Sequence, residues 1–288
     1  MKLIASDLDG TLLNEKGEVS EKNAEAIKRA VRQGMQFVVA TGRSWEAASK
    51  PLIAAGISSP VICLNGAVIY DENHNKLHSI TMDKAVCKQI LSVCREADMY
   101  LEFFTNKGIY SVSQEYFLEV LVDIMKSANP KLTEEEVRDH ASMRFQMEPV
   151  AFIEDYDLIF EMEDVDIYKI LGFSVDSAKL VSVREKLADA AGVTITSSGD
   201  INLEFNHPEA QKGIALERLA KRAGIEMKDV MAMGDNWNDA SMLQAAGRGI
   251  AMGNASEEIQ QLADDVTKSN IDDGVAAAIE NVLFQIEK

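Results

Sequence analysis

The chain has 288 residues, 47% of them hydrophobic and 26% charged, a globular composition whose length suits about two domains of roughly 150 residues. Its 47 acidic residues outnumber 29 basic ones for a net charge of −18, a field that repels nucleic acid and anionic membrane with no Lys/Arg cluster to offset it. No apolar run approaches the ~18–20 residues of a membrane span, and Leu3-Ile4-Ala5-Ser6 meets Asp7 too soon for a signal peptide, so a cytoplasmic protein is expected.

The first 70 residues alternate strand and helix. A short apolar run, Lys2–Ser6, ends in Asp7-Leu8-Asp9-Gly10-Thr11. Ser20 caps a predicted helix with Ala24, Ile27, Ala30 and Val31 on one face and Gly34 as its stop. Gln36–Ala40 is a buried strand, Ser44 caps a helix ending near Gly56, and Val61–Leu64 is a third strand. This order predicts right-handed βαβ units around a parallel sheet. Val68–Tyr70 and Leu77–Ile80 flank a turn-rich stretch and form a hairpin.

From about Asp83 to Phe205 the pattern becomes α+β, with predicted helices Asp83–Ala97, Gln114–Ser127 and Ser177–Ala190. Between them lie short strands at Tyr100–Phe104, Ile109–Val112, Ile167–Val175, Val193–Ser197 and Ile201–Phe205. Met143–Glu161 has no clear pattern. Alternation returns with helix Gly213–Ala223, strand Val230–Met233, strand Gly249–Met252, a short edge strand at Val266-Thr267 and a last helix Gly274–Phe284.

Three strand ends in the α/β portion carry polar clusters: Asp7-Leu8-Asp9-Gly10-Thr11, Thr41-Gly42-Arg43 and Gly234-Asp235-Asn236-Trp237-Asn238-Asp239. Ligands of an open parallel sheet bind beyond the carboxyl ends of its strands, so these distant segments are expected to meet at one edge. Taken alone, Asp7-x-Asp9-Gly10 reads equally as an Asp-Gly turn. A calcium loop is excluded, because Leu12 stands where that loop needs glycine. Together the clusters say more. Asp7, Asp235 and Asp239 offer the oxygen ligands that a hard cation such as Mg²⁺ prefers. The Thr41 hydroxyl, backbone N–H groups around Gly10 and Gly42, and the Lys212 ammonium at a helix start suit phosphate oxygens. An acidic protein that takes a phosphorylated substrate needs such local positive charge.

The runs DLDGT at 7–11, ATGR at 40–43, QKG at 211–213 and GDNWND at 234–239 resemble the four ordered motifs of the haloacid dehalogenase-like phosphatases. The insertion between the second and third is similar to that of the Cof-type subfamily with a C2-type α/β cap, and Asn270-Ile271-Asp272-Asp273-Gly274-Val275 resembles its tail. The resemblance implies a doubly wound, Rossmann-like, mostly parallel core from 1–82 and 208–288, with an inserted α+β cap at 83–207 that closes over the metabolite. It implies that Asp7 is the nucleophile and a Mg²⁺ ligand, and that Asp9 is the general acid/base whose carbonyl also ligates the metal. Asp235 would be the third protein ligand and Asp239 would support the metal's waters. Thr41 and Gly42 would bind the transferring phosphoryl group, with Gly10 beside them; Lys212 would neutralise it, and Asn238 would contact phosphate or orient Lys212. A metal screens the carboxylate from the substrate dianion, and Asp9 serves leaving group and then water.

The other conspicuous residues have plainer readings. Arg43 suits either substrate contact or a surface ion pair. His74, His78 and His140 lack ligand spacing, His207-Pro208 suits a hinge, and Trp237 either walls the site or packs beneath it. Glu134-Glu135-Glu136 suits a helix first turn, and the methionines suit core filling. Cys63, Cys87 and Cys94 are expected reduced and structural. Gly247–Gly253 misses the dinucleotide fingerprint by one position, and no P-loop exists. The expected function is a Mg²⁺-dependent phosphomonoesterase, monomeric or homodimeric, acting through an aspartyl phosphate. Its substrate would be a small phosphorylated metabolite, a sugar phosphate first or a vitamin or flavin-precursor phosphate. A phosphosugar mutase and a phospho-aspartate receiver are the rivals, and the receiver would need neither Asp9 nor the insert.

Overall fold

Strand β1 (Leu3–Ser6) is buried along its whole length and feeds directly into the Asp7 turn. The computed structural model describes residues 1–113, 115, 118, 122, 133, 148–197 and 201–286. Helix α1 (Glu21–Arg32) starts where expected, the Ser20 hydroxyl accepting from the Asn23 N–H. Its buried stripe runs through Asn23, Ala26, Ile27 and Ala30, which leaves Val31 in the last turn exposed rather than on the packed face. Next come β2 (Gln36–Ala40), α2 (Trp45–Ala54), β3 (Val61–Cys63), and the antiparallel hairpin of β4 (Val68–Tyr70) and β5 (Lys76–Ser79). Strand β3 stops one residue before the predicted end, because Leu64 turns left-handed at φ 50°.

The second segment opens with α3 (Lys84–Glu96), capped by the Asp83 carboxylate on the Ala85 N–H. It holds β6 (Tyr100–Thr105), β7 (Gly108–Ser111), β8 (Val150–Phe152), α4 (Asp157–Glu161), β9 (Ile167–Phe173), α5 (Ser177–Leu187), β10 (Thr194–Thr196) and β11 (Asn202–Asn206). Their sheet has the order β10-β11-β9-β6-β7-β8, antiparallel except between β7 and β8. Period-two alternation sends Leu101, Phe103, Ile170, Leu203 and Phe205 into a core with Ile90, Cys94 and Val183 of the helices. Within this sheet Lys169 and Glu204 form a buried ion pair at 2.7 Å. β8 and α4 fall in the stretch whose sequence gave no pattern: β8 is partly exposed, and α4 is barely more than one turn. The predicted helix Gln114–Ser127 lies largely outside the described residues, as do Glu134-Glu135-Glu136, His140, Met125, Met143 and Met147.

The chain then adds α6 (Lys212–Arg222), β12 (Val230–Gly234), α7 (Ala240–Ala245), β13 (Arg248–Ala251), α8 (Glu257–Leu262), β14 (Asp265–Val266) and α9 (Gly274–Ile286). These strands join the first five in one sheet of order β14-β13-β12-β1-β2-β3-β4-β5, parallel from β14 through β3. Leu216 and Leu219 of α6 and Met242 of α7 cover the face that carries Leu3, Ala5, Val38 and Ala232. α1 and α9 pack on each other. This is the doubly wound core with its mostly parallel sheet. The chain divides into two compact units, Met1–Ser79 with Glu209–Lys288, and Ile80–Pro208. Among the described residues no helix is long and apolar enough to cross a membrane.

β1 lies between β2 and β12, and the chain leaves it in one direction to build β2 and β3 and returns on its other side with β12 and β13. The strand order therefore reverses beside the carboxyl end of β1, which is the topological switch point of the sheet. Asp7, Thr41 and Asp235 follow the three strands that meet there.

Candidate active site

The turn after β1 is shaped by Gly10. Its φ is +74°, and a Cβ there would stand 2.3 Å from Asp235 Oδ2, so backbone and carboxylate approach as only glycine allows. The Thr11 hydroxyl, itself buried, donates to Asp235 Oδ1 at 2.8 Å. Asn254 Nδ2 donates to the Gly10 carbonyl at 2.8 Å and holds the outer side of the turn. The Asp7 N–H pairs with Met233 O at 3.0 Å, which continues the β1–β12 register up to Asp7.

Lys212, the first residue of α6, is fully buried and sits between two carboxylates. Its Nζ donates to Asp7 Oδ1 and to Asp239 Oδ1, each at 2.6 Å. Asp239 Oδ2 accepts from the N–H groups of Asp235 and Asn236, each at 3.0 Å, so both of its oxygens are engaged by protein. Asp7, Asp235 and Asp239 bring carboxylate oxygens within 4.8 Å of one another. This donor set fits Mg²⁺: hard oxygens gathered on a preformed backbone, with Asp7 and Asp235 each keeping an oxygen that no described protein group engages. Asp239 is the brace of the group, because its oxygens already hold Lys212 and the β12 turn.

The cluster has three carboxylates against one ammonium. Burial, then Asp239, push the Asp7 carboxyl well above the ordinary range despite the pull of Lys212. Asp235 is raised to about 6, by burial first and Asp239 second, with Thr11 and Lys212 opposing. Burial lowers the Lys212 ammonium's pKa, but Asp239 and Asp7 outweigh it and the group is held charged. A surplus of negative charge out of water costs free energy, and a divalent cation relieves it.

Thr41 is wholly buried at the end of β2. Its N–H donates to Ile62 O at 2.8 Å, and its hydroxyl accepts from the Arg43 N–H at 3.1 Å across Gly42. Arg43 reaches Asp9: Nε donates to Oδ2 at 2.7 Å while Nη2 contacts Oδ1. This fork joins the first two motifs through the exposed side chain of Asp9, so Arg43 is an ion-pair partner here. Asn238 Nδ2 donates to Asn65 Oδ1 at 3.3 Å.

Three participants were not singled out in the sequence: Thr11, Asn65 and Asn254. Thr11 was visible inside DLDGT, and Asn65-Gly66 follows a strand as a turn signal; Asn254 has no local signal. Trp237 is 56% exposed and does not pack beneath the site. His74 stacks on Trp45 at 4.5 Å, and His78 meets Arg218 at 2.7 Å. All three cysteines are buried, and none is in a disulfide.

The family model for haloacid dehalogenase-like hydrolases matches residues 4–279. The chain is 40% identical over 285 residues to the phosphatase YwpJ of Bacillus subtilis, covering 98% of this chain and all (100%) of that one. It is 36% identical over 284 residues to the 5-amino-6-(5-phospho-D-ribitylamino)uracil phosphatase YwtE of the same organism, covering 98% of each. A solved haloacid dehalogenase-like hydrolase from B. subtilis superposes with a TM-score of 0.88 at 40% identity, over 97% of this chain and 99% of that one.

Proposed function

The chain belongs to the haloacid dehalogenase-like hydrolases and is one of their phosphatases, and we propose that it cleaves a small phosphomonoester through a phospho-aspartate on Asp7. The observation that carries this reading is the buried contact of Lys212 with Asp7, beside the Asp235 carboxylate. Lys212 holds the attacking carboxylate and supplies positive charge where the phosphoryl oxygens arrive. Thr41, the backbone around Gly42 and Asn238 position that group. Asp7 and Asp235 would hold Mg²⁺, with the Asp9 carbonyl. When bound, the metal screens the two anions and orients the phosphoryl group.

Asp7 attacks phosphorus and the substrate's alkoxide leaves with a proton from Asp9. Water, deprotonated by Asp9, then splits the acyl phosphate, which restores Asp7 and releases phosphate. Asp9 exchanges its Arg43 contact for the leaving group, and the freed guanidinium is able to meet a phosphate oxygen. The unit Ile80–Pro208 contains none of these side chains, and on this reading it selects the metabolite. The substrate class proposed is a sugar or polyol phosphate, including the phosphorylated ribityl compound named for two relatives at 36% and 31% identity. Phosphate release across a panel of such esters with Mg²⁺ tests the class. Rapid quench with intact-mass measurement should find one phosphoryl group on Asp7 and none on Asp7→Asn protein. Accumulation is expected with Asp9→Asn and p-nitrophenyl phosphate, whose good leaving group spares the first proton but not the second. A phosphoryl group on any other residue would refute the assignment.

A further inference from the structure

Strand β3 is followed by three consecutive left-handed residues, Leu64 at φ 50°, Asn65 at φ 57° and Gly66 at φ 102°. Leucine is rarely found in this region, and such a turn persists only where its surroundings over-determine it. Here they do. The Leu64 N–H donates to Arg43 O and the Asn65 N–H to Thr41 O, both at 3.0 Å. A Cβ on Gly66 would lie 2.6 Å from the carbonyl oxygen of Gln211, the residue before Lys212. The Asn65 side chain is buried, and its Oδ1 accepts from Asn238 Nδ2 at 3.3 Å. One three-residue turn thus touches the Thr41 loop, the start of the Lys212 helix and the Asn238 side chain.

We infer that Asn65 is a positioning residue of the phosphate site, which fixes the amide of Asn238 so that its second N–H faces the phosphoryl oxygens. An amide has two ways to lie in its plane, and an acceptor on one side selects the way that presents a donor on the other. Asn65 Oδ1 is that acceptor. No described protein group takes the remaining Nδ2 hydrogen of Asn238. Asparagine suits the post for a second reason, since it tolerates the left-handed backbone better than other side chains of its size. This role rests on the phosphatase reading above and adds to it a residue outside the four motifs.

The test is a double-mutant cycle on p-nitrophenyl phosphate hydrolysis with Asn65→Gly, Asn238→Ala and the pair. Glycine keeps the left-handed turn, so Asn65→Gly should melt close to the wild type while kcat/KM falls about tenfold, the worth of one hydrogen bond in a preorganised site. The double variant should lose no more than Asn238→Ala alone, because the two residues act as one unit. The Ki for inorganic phosphate should rise in both single variants. Losses that multiply, or an Asn65→Gly enzyme with wild-type kcat/KM, would overturn the role. A wild-type protein that releases no phosphate from any ester would overturn the phosphatase reading itself, a result distinct from additive losses in an active enzyme.

Discussion

Replacing Lys212 with methionine keeps most of the side chain's volume and removes its charge from a buried contact with two carboxylates, each at 2.6 Å. At an effective dielectric of about 20 each contact is worth roughly 6 kcal/mol before the cost of burial is set against it. The net loss follows from what remains: Asp7 and Asp239 buried together without a counter-ion. Breaking a buried pair in this way costs about 3–5 kcal/mol. For a unit of roughly 160 residues this corresponds to a fall in Tm of about 6–20 °C in EDTA. The penalty should shrink from about pH 8 to about pH 5, because Asp7, whose carboxyl burial and then Asp239 already push well above the ordinary range, escapes it by taking up a proton that the unfolded chain binds less tightly. Phosphate release should fall by at least about 100-fold at every pH. Differential scanning fluorimetry across pH and a phosphate-release assay measure both. A variant that melts within about 2 °C of the wild type at about pH 8 and keeps its turnover would refute the reasoning.

On the proposed function, proton and Mg²⁺ would compete for Asp235, whose carboxyl is raised to about 6, chiefly by burial. A raised carboxyl favours folding below its unfolded value near 4 and loses that contribution as pH rises through about 6, so the rise in Tm caused by Mg²⁺ should be small at about pH 5 and full above about pH 7. Activity should vanish in EDTA and return with Mg²⁺, and full turnover after chelation would rule out the metal assignment. Gly10→Ala meets both a φ of +74° and a Cβ 2.3 Å from Asp235 Oδ2, and should lose about 100-fold or more in kcat/KM by displacing that carboxylate. Cys87 and Cys94, their thiols pushed up to about 12 chiefly by burial, should resist iodoacetamide at about pH 8 in the folded protein and react in urea, as intact mass would report.

How far the sequence reached depended on the range of the interaction. Strand and helix periods are local, so the alternation of Lys2–Ser6, the α1 stripe and Gln36–Ala40 was readable as α/β before any contact was known. Caps are equally local, and Ser20 and Ser44 both start helices as read. Errors of one or a few residues arose at ends: β3 stops at Cys63, and α5 ends at Leu187 rather than Ala190. Polar residues placed directly after apolar runs marked the edge of the sheet, because a parallel sheet delivers every strand's carboxyl end to the same side.

What the sequence by itself determined was therefore the class of chemistry: oxygen donors for a hard cation, and hydroxyl, amide and ammonium groups for phosphate, in an acidic chain that otherwise repels its substrate. Only the tertiary structure decided which groups touch. Lys212 meets Asp7 across 205 positions of sequence and Asp239 across 27. Arg43 binds Asp9, Asp239 spends both oxygens on Lys212 and the β12 turn, and Asn65 reaches Asn238 from a left-handed turn. These contacts follow from the order of β12, β1, β2 and β3 in the sheet, which brings four loops to one edge. Local sequence encodes each loop's residues, but the distances between loops are set by strand pairing and by the packing of α6 and α7 on the sheet, interactions that have no period along the chain.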